Sequence, residues 1–412
     1  MSEIKYLDLF AGAGGLTEGF MQAGQYKEVA AVEWLKPQVD TLRNRMKTKW
    51  GYTDAEKTVL HFDIQRENEL FHGWSDKKFG ESDGLDYFVN NYNGVDMVIG
   101  GPPCQAYSVA GRVRDENGMQ DDYRNYLFEH YLSVVSRYHP KLFVFENVPG
   151  MLSAQPGGKK VTDLVKNGFR SIGYEILDNL KDAVINAKDY GVPQSRKRVI
   201  LVGVHIKSVA EPDKIQEHLQ DFYSNILPSF QSKKEVSVKE AIGDLQRFKP
   251  NWDEENHEKH LAYEAIPGSG IAISDHKPRY QNLRDMDIFR MLAQDIEEGT
   301  GNYTDSKALS KVYEEKIGSK SPIHRYHVLR PDKPSTTIIA HLYKDGNRFI
   351  HYDSAQSRTI TPREAARLQS FPDDFEFIGS QGAAYQMIGN AVPPKLAESL
   401  AKAVRIFYKE RF

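Results

Sequence analysis

Hydrophobic residues along the chain occur in short runs, and these runs alternate with longer segments that have the apolar spacing of helices. The segment 123–138 is one such helical pattern. Short apolar runs that alternate with helices indicate an α/β fold with a mostly parallel sheet. The runs that we predict as strands are residues 6–10, 29–34, 95–99, 142–145 and 199–204, and a further strand is expected to end within 61–64.

Small and polar residues cluster directly after the predicted strands. In open α/β sheets, ligands bind at the carboxyl ends of the strands, which meet at one edge of the sheet. We therefore predict that the functional site lies at this edge. The clusters that would line it are residues 10–15, 33–34, 63–64, 101–104 and 146–149.

The alternation of strands and helices breaks down after about residue 205, where strand and helix signals become mixed. This change predicts a second, smaller domain over 206–382. The first domain is expected to comprise 1–205 and to be completed by 383–412, which ends in a helix. Within the first domain, the polar segment 66–94 is predicted to be a surface insertion.

The composition is that of a soluble globular protein, with 40% hydrophobic and 27% charged residues among 412. Apolar stretches such as 199–204 are far shorter than the roughly 20 residues of a membrane span. The N-terminus lacks the basic start and long apolar region of a signal peptide. A single cysteine, Cys104, excludes an internal disulfide and fits a reducing, cytoplasmic compartment. The net charge of −3 argues only weakly against a nucleic-acid partner.

A glycine-rich turn, AGAGG at 11–15, follows the first predicted strand. Glycine has no Cβ, so a ligand can approach the backbone closely there. A dinucleotide fingerprint counted from Gly12 would need glycine where Thr17 stands, which disfavours pyrophosphate binding. Glu33 lies about twenty residues further on, where an acid can accept hydrogen bonds from ribose hydroxyls. The turn therefore indicates a nucleoside cofactor without a pyrophosphate, S-adenosylmethionine; the alternative is a tight turn that binds nothing.

Four residues near strand ends are candidates for chemistry. Cys104 follows two glycines and two prolines, a rigid setting that suits an activated nucleophile, although a lone cysteine is usually a buried hydrophobe. Glu146 ends an apolar run and is either a surface charge or a positioned acid. Arg196 and Arg198 lie on the same side of an extended segment, where they form either a solvated face or a site for polar or anionic substrate atoms.

Taken together, these segments resemble the DNA cytosine-C5 methyltransferases, and they occur in the usual order of that family. The resemblance covers about 1–205 and 328–400, and it implies a Rossmann-like, S-adenosylmethionine-dependent methyltransferase sheet with a smaller target-recognition domain. The stretch 206–327 is expected to be the variable part of that domain. The matching segments are DLFAGAGG (8–15), VEW (32–34), DI (63–64), GGPPCQAYS (100–108), ENVPG (146–150), QSRKR (194–198) and GNAVPP (389–394).

The resemblance implies roles for the candidate residues. Cys104 would add to C6 of cytosine, so that C5 becomes nucleophilic enough to take the methyl group. Glu146 would hydrogen-bond the N3 and amine edge of the base and stabilise the charge that develops on the ring. Arg196 and Arg198 would hold the base and help to polarise either the base or Cys104. The target base would be flipped out of the duplex. The segment 105–121 is rich in glycine and polar residues, and it either closes over the flipped base or is an ordinary surface loop.

The same resemblance implies a cofactor pocket. Its residues would be Phe10, Gly12, Gly14 and Gly15 at the methionine end, Glu33 at the ribose, Trp34, Asp63 and Ile64 at the adenine, and Gly101, Pro103, Leu127, Asn390 and Val392 around them. No metal is expected, because the thirteen histidines show no convincing ligand spacing with acids or cysteines.

Double-stranded DNA is the expected partner. The protein is expected to act as a monomer, associated with the nucleoid through DNA, beside a separate cognate restriction endonuclease. The segment 311–333 carries a surplus of three positive charges and interleaved aromatics, which would either track phosphates or form a solvated face.

The sequence leaves two alternative functions. An RNA cytosine-C5 methyltransferase is disfavoured, because the tRNA-methylating branch of the family carries a further Cys-Phe-Thr tripeptide and this chain has no second cysteine. A catalytically inactive DNA-binding module on the same scaffold is disfavoured by the intact set of Cys104, Glu146, Arg196 and Arg198.

Overall fold

The computed structural model of the chain divides into two units. The first unit consists of Met1–Gly191, Arg196–Lys233 and Ala391–Phe412, and the second consists of Val192–Ser195 and Lys234–Asn390. The structure describes residues 3–102, 127–155, 158–255, 257–258, 261–303, 305–318, 326–344 and 346–412.

Short strands carry the central sheet of the first unit. The described strands are β1 (Ile4–Leu9), β2 (Tyr26–Glu33), β3 (Val59–His61), β4 (Trp74–Asp76), β5 (Gly80–Ser82), β6 (Met97–Gly100), β7 (Leu142–Asn147), β8 (Tyr174–Ile176), β9 (Val184–Asn186), β10 (Lys197–His205), β11 (Phe248–Pro250) and β12 (Tyr263–Ala265). Eight of them form one sheet in the order β3-β2-β1-β6-β7-β10-β8, with β9 paired to β10. Pairing is parallel from β3 to β7 and antiparallel at β10. The predicted α/β fold with a mostly parallel sheet is confirmed.

Helices alternate with the strands along the first unit and make up much of the second. The described helices are α1 (Gly15–Ala23), α2 (Lys36–Thr48), α3 (Ala55–Thr58), α4 (Glu67–His72), α5 (Gly84–Asn91), α6 (Leu127–Tyr138), α7 (Val161–Ser171), α8 (Ile215–Asp221), α9 (Val238–Ile242), α10 (Leu283–Glu297), α11 (Ser306–Ile317), α12 (Pro362–Leu368), α13 (Gln381–Asn390) and α14 (Pro394–Arg411). Among these described helices, none is long and apolar enough to cross a membrane.

The core of the first unit lies on both faces of its sheet. Nearly every residue of β1, β6 and β7 is buried, as in parallel strands covered on both sides. The C-terminal helix α14 packs closely on α1, since a Cβ placed on Gly19 would lie 2.4 Å from the Ala397 Cβ. The Tyr26 hydroxyl also donates to the Ala401 carbonyl oxygen at 2.7 Å. The last helix is therefore an integral part of the first unit.

The segment 206–233 belongs to the first unit, which extends beyond the boundary near residue 205 expected from the sequence. The Tyr223 hydroxyl bridges two backbone groups of β10: it donates to the Ile200 carbonyl oxygen and accepts from the Val202 N–H, each at 2.8 Å. Its neighbour Phe222 packs edge-on against Phe407 of α14, with ring centroids 5.5 Å apart. Aromatic side chains thus attach this segment to β10 and to α14.

The second unit contains a buried ionic network beside its apolar core. Arg358 donates to both carboxylate oxygens of Glu364, at 2.6 and 2.7 Å, and each of these side chains is 1% exposed. His351 Nε2 lies 3.4 Å from the same carboxylate. Although burial acts to raise it, the Arg358 charge holds the pKa of Glu364 at about 2. Glu364 also completes the N-terminal capping box of α12 with Thr361, so the network fixes where this helix begins.

Candidate active site

The glycine-rich turn joins the ends of β1 and β2 to the start of α14. The Gly12 N–H donates to Glu33 Oε2 at 2.9 Å, which ties the turn to β2. A Cβ on Gly15 would lie 2.3 Å from the Val392 carbonyl oxygen, so only glycine allows this approach. Phe10 has a φ of 58°, an uncommon conformation for an aromatic residue, and such strain concentrates at functional sites.

Glu33 is a buried carboxylate held by backbone and amide donors. It is 9% exposed and, besides the Gly12 N–H, it accepts from the Leu35 N–H at 2.8 Å. The Gln38 amide, oriented with its nitrogen toward the acid, donates to the two carboxylate oxygens at 3.0 and 3.2 Å. Burial raises the pKa of Glu33, and the backbone hydrogen bonds oppose this rise by favouring the charged form. The next residue, Trp34, is 42% exposed, so a solvent-exposed indole directly follows a buried carboxylate in the sequence.

Asp63 and Ile64 lie near Trp34 because β3 pairs with β2. The register sets Glu33 opposite His61, and His61 Nε2 is 2.9 Å from the Trp34 carbonyl oxygen. Asp63 and Ile64 follow β3 directly; Asp63 is partly buried, and Ile64 is 5% exposed. The residues predicted for the ribose and adenine therefore lie at one edge of the sheet.

A second cluster forms where β6 and β7 end. A Cβ on Gly101 would lie 2.7 Å from Glu146 Oε2, so the backbone directly before the two prolines passes close to this carboxylate. The Asn147 amide donates to the Pro102 carbonyl oxygen at 3.4 Å and fixes the same loop. Sequence reasoning missed Asn147, although its place in the ENVPG segment was a signal. The predicted residues Pro103 and Cys104 and the segment 105–121 lie outside the described residues.

Arg196 and Arg198 lie at the start of β10, close to Glu146. Arg198 Nε is 2.8 Å from Glu146 Oε1, and the two side chains are 12% and 13% exposed. Arg196 is 1% exposed, and its backbone N–H donates to Asn186 Oδ1 at 3.0 Å. Burial lowers the pKa of Arg196 well below its ordinary value; the Arg198 charge lowers it further, and Glu146 acts in the opposite direction. Two guanidinium groups and one carboxylate thus form a single polar cluster beside the end of β6.

A buried polar group beneath the glycine turn was not predicted from the sequence. The Thr17 hydroxyl oxygen is 2.7 Å from Asp8 Oδ2 and 2.6 Å from Glu28 Oε2, and all three residues are at most 1% exposed. A hydroxyl has one proton, so it can donate to only one of the two carboxyl groups. Burial raises the pKa of Asp8 well above its ordinary value and that of Glu28 to about 7. The group therefore retains a proton near neutral pH.

The remaining predicted residues occupy varied positions. Leu127 begins α6 and is 7% exposed, and Gly14 has a φ of 88° in the turn. Asn390 ends α13 in the second unit and is exposed, whereas Val392 belongs to the first unit. Within the described ranges, no group of three or more His, Cys, Asp or Glu side chains is arranged to hold a metal ion.

Comparison with known proteins gives a consistent result along the whole chain. The model of the C-5 cytosine-specific DNA methylase family matches residues 4–405. The type II methyltransferase M.Bpa9945I of Bacillus paralicheniformis is 32% identical, over 97% of this chain and 98% of the relative. The type II methyltransferase M1.HphI of Haemophilus parahaemolyticus is 31% identical, over 97% of this chain and 86% of the relative.

Solved structures share the fold. The Entamoeba histolytica methyltransferase EhMeth superposes with a TM-score of 0.56 at 14% identity, over 100% of this chain and 99% of that one. The Schizosaccharomyces pombe Dnmt2 methyltransferase gives a TM-score of 0.50 at 15% identity, over 99% of both chains. At these identities the likeness supports the architecture and not a particular substrate.

Proposed function

The chain belongs to the C-5 cytosine-specific DNA methylase family and is a DNA cytosine-C5 methyltransferase, and from this premise we propose how its residues carry out the reaction. The proposed reaction moves a methyl group from S-adenosylmethionine to C5 of a cytosine flipped out of duplex DNA. The observation that carries the proposal is the closeness of Gly101 to Glu146, since a Cβ on Gly101 would lie 2.7 Å from Glu146 Oε2. Gly101 lies three residues before Cys104 in the sequence, and Glu146 is paired with Arg198.

Cys104 is the proposed nucleophile. Its thiolate adds to C6 of cytosine, and the electron pair of the C5–C6 double bond makes C5 nucleophilic toward the methyl group. After the transfer, the C5 proton leaves to water and Cys104 is eliminated, which restores the aromatic ring. The thiolate is regenerated, so the chain returns to its starting state.

Glu146 and the two arginines are the proposed base-binding group. Glu146 hydrogen-bonds the N3 and amine edge of cytosine and stabilises the charge that develops on the ring. The ion pair with Arg198 holds this carboxylate at a fixed position and supports that role. Arg196, buried beside Arg198, contributes a second guanidinium that binds polar atoms of the base.

The residues at the other strand ends fit S-adenosylmethionine, which supplies an electrophilic methyl group on its sulfonium. Among the described atoms, a Cβ on Gly12 would meet the end of the Gln38 side chain alone, at 4.0 Å, so the turn offers open backbone to the methionine end. Glu33 would accept hydrogen bonds from the ribose hydroxyls, and the indole of Trp34, which is exposed, would face the adenine. Asp63 would accept a hydrogen bond from the adenine amine. Phe10, Gly14, Gly15, Ile64, Gly101, Pro103, Leu127 and Val392 would complete the proposed pocket.

The proposed biological setting is a type II restriction–modification system. The relatives M.Bpa9945I and M1.HphI are type II methyltransferases, which supports a separate cognate endonuclease that cuts unmodified sites. We assign recognition of the DNA sequence to the second unit, and we propose that the enzyme acts as a monomer on duplex DNA.

The test is bisulfite sequencing of plasmid DNA from a methylation-free host that expresses this chain. The proposal predicts conversion-resistant cytosines at one short recurring sequence, and their loss with Cys104→Ser. A duplex with 5-fluorocytosine at that position should trap a covalent complex with the wild type and not with Cys104→Ser. Complete conversion everywhere, with the protein folded and bound to cofactor, would contradict the proposal and favour an RNA substrate or an inactive DNA-binding module.

A further inference from the structure

The insertion between β3 and β6 carries a β-hairpin with a rigid tip. The segment 66–94 forms α4, the β4–β5 hairpin and α5. At the tip, Asp76 Oδ1 accepts from the N–H groups of Lys78 and Phe79, at 2.9 and 2.7 Å. Gly80 then closes the loop with a φ of 71°. Side-chain-to-backbone bonds of this kind followed by a left-handed glycine define one turn conformation, so the tip is ordered by its own sequence.

The hairpin is anchored to the segment directly after β3. Trp74 stacks on Phe62 with ring centroids 3.7 Å apart, and its indole N–H donates to the Phe79 carbonyl oxygen at 3.3 Å. The Arg66 guanidinium lies 4.8 Å from the Phe62 ring centroid and donates to Asp76 Oδ2 at 2.7 Å. Phe62 is 1% exposed and Trp74 is 8% exposed, so this anchor is buried. The tip therefore has a fixed position relative to the ends of β2 and β3.

From this position the tip reaches Trp34. The Phe79 ring meets His61 edge-on, with centroids 5.0 Å apart, and His61 Nε2 is 2.9 Å from the Trp34 carbonyl oxygen. Lys78 Nζ lies 5.5 Å from the centroid of the Trp34 indole, within the range of a cation–π contact. The hairpin thus touches both the backbone support and the ring of the residue that faces the adenine in the proposed cofactor site.

We propose that Lys78 and Phe79 are positioning residues of the cofactor site. Lys78 covers one face of the Trp34 indole and leaves the other face for the adenine, while Phe79 fixes His61 beneath the Trp34 backbone. An indole ordered before the ligand arrives lowers the entropic cost of binding, so the hairpin tightens the hold on S-adenosylmethionine. The inference rests on the proposed function, because Trp34 faces an adenine only if this cofactor binds there.

The experiment is calorimetric titration of the full chain with S-adenosylhomocysteine, the stable product. Lys78→Ala should weaken binding by roughly two- to fivefold, the effect of an exposed cation–π contact. Phe79→Ala should weaken it by a similar or larger factor, and Lys78→Arg should bind as the wild type does. Lys77→Ala, the neighbouring exposed lysine of the same turn, is the matched control and should have no effect. The KM for S-adenosylmethionine should rise with the dissociation constant, and the KM for DNA should not.

A double substitution isolates the role of the indole. In a Trp34→Ala background, Lys78→Ala should cause no further loss of affinity, since the indole that Lys78 contacts is absent. Wild-type affinity in Lys78→Ala and in a Phe79→Ala protein with an unchanged melting temperature would overturn the inference and leave the proposed function intact. An equal loss from Lys78→Ala with and without Trp34 would also overturn it. Failure of the wild type to bind S-adenosylhomocysteine would instead remove the proposed function and this inference together.

Discussion

The Glu28 carboxyl group makes the stability of the first unit depend on pH. Burial raises its pKa in the folded protein from 4.5 to about 7, so between these values the folded chain keeps a proton that the unfolded chain has lost. Stability must therefore fall as the pH rises through this window, by roughly 2 to 3 kcal/mol for one group. We predict that Glu28→Gln, which cannot ionise, removes this part of the fall. Urea unfolding of both proteins at pH 5 and pH 8 measures it.

The matched control for that measurement is Glu217→Gln, because Glu217 is exposed on α8 and should leave the pH dependence as it is. Equal pH dependence in the wild type and in Glu28→Gln would contradict the interpretation.

Glu28 also shows why the sequence predicts Glu33 as a site residue but does not predict this acid. Glu33 ends an apolar strand beside a glycine turn, a recognisable setting, whereas an acid inside a strand looks like a surface charge until its burial is known.

A substitution at Gly101 should change the rate of methylation without preventing the protein from folding. A Cβ there would lie 2.7 Å from Glu146 Oε2 and would disturb the Glu146–Arg198 ion pair. We expect Gly101→Ala to fold but to methylate DNA about 100-fold more slowly, since a displacement of about 1 Å can cost this much. Single-turnover methylation measures the rate. The control is Gly382→Ala, where a Cβ would meet Ser380 Oγ at 3.8 Å, and an unchanged rate in Gly101→Ala would refute the positional argument.

At the scale of elements, the contact between α1 and α14 leaves no space for a side chain at Gly19. A Cβ there would lie 2.4 Å from the Ala397 Cβ and 2.5 Å from the Glu398 nitrogen. Alanine in place of glycine normally stabilises a helix by about 1 kcal/mol. We predict that Gly19→Ala instead destabilises the protein by roughly 1 to 3 kcal/mol, because overpacking forces the helices apart. Urea unfolding tests this, and the same exchange at Gly382 of α13 should not destabilise; a more stable Gly19→Ala protein would count against the close packing.

The elements that the sequence predicted are those with a strong apolar signal. The run 142–145 lies within β7 and the run 199–204 within β10, since buried strands need nearly continuous apolar residues. For the hairpin of β4 and β5 the sequence predicts only a polar insertion, because Trp74–Asp76 and Gly80–Ser82 show little apolar alternation. Its position depends on contacts with Phe62 that are distant from any local pattern.

At the scale of the whole molecule, the sequence indicated two domains but not where the first one stops. The alternation that supports such a boundary ends with β10, and the residues beyond this strand have mixed helix and strand signals. Tyr223 and Phe222 help to attach 206–233 to β10 and to α14, and an aromatic pair carries no information about the surface on which it will pack. The long segment of the second unit therefore begins at Lys234.

This boundary makes a prediction about recognition of the target sequence. If the second unit reads the DNA, replacing 234–327 with the corresponding residues of the Bacillus paralicheniformis relative should transfer the donor's recognition sequence. Replacing 206–233 alone should leave the target unchanged, because those residues support the central sheet of the first unit. Bisulfite sequencing of DNA from hosts expressing each chimera distinguishes the two cases. A changed target from the 206–233 exchange, or an unchanged one from an active 234–327 chimera, would move recognition out of the second unit.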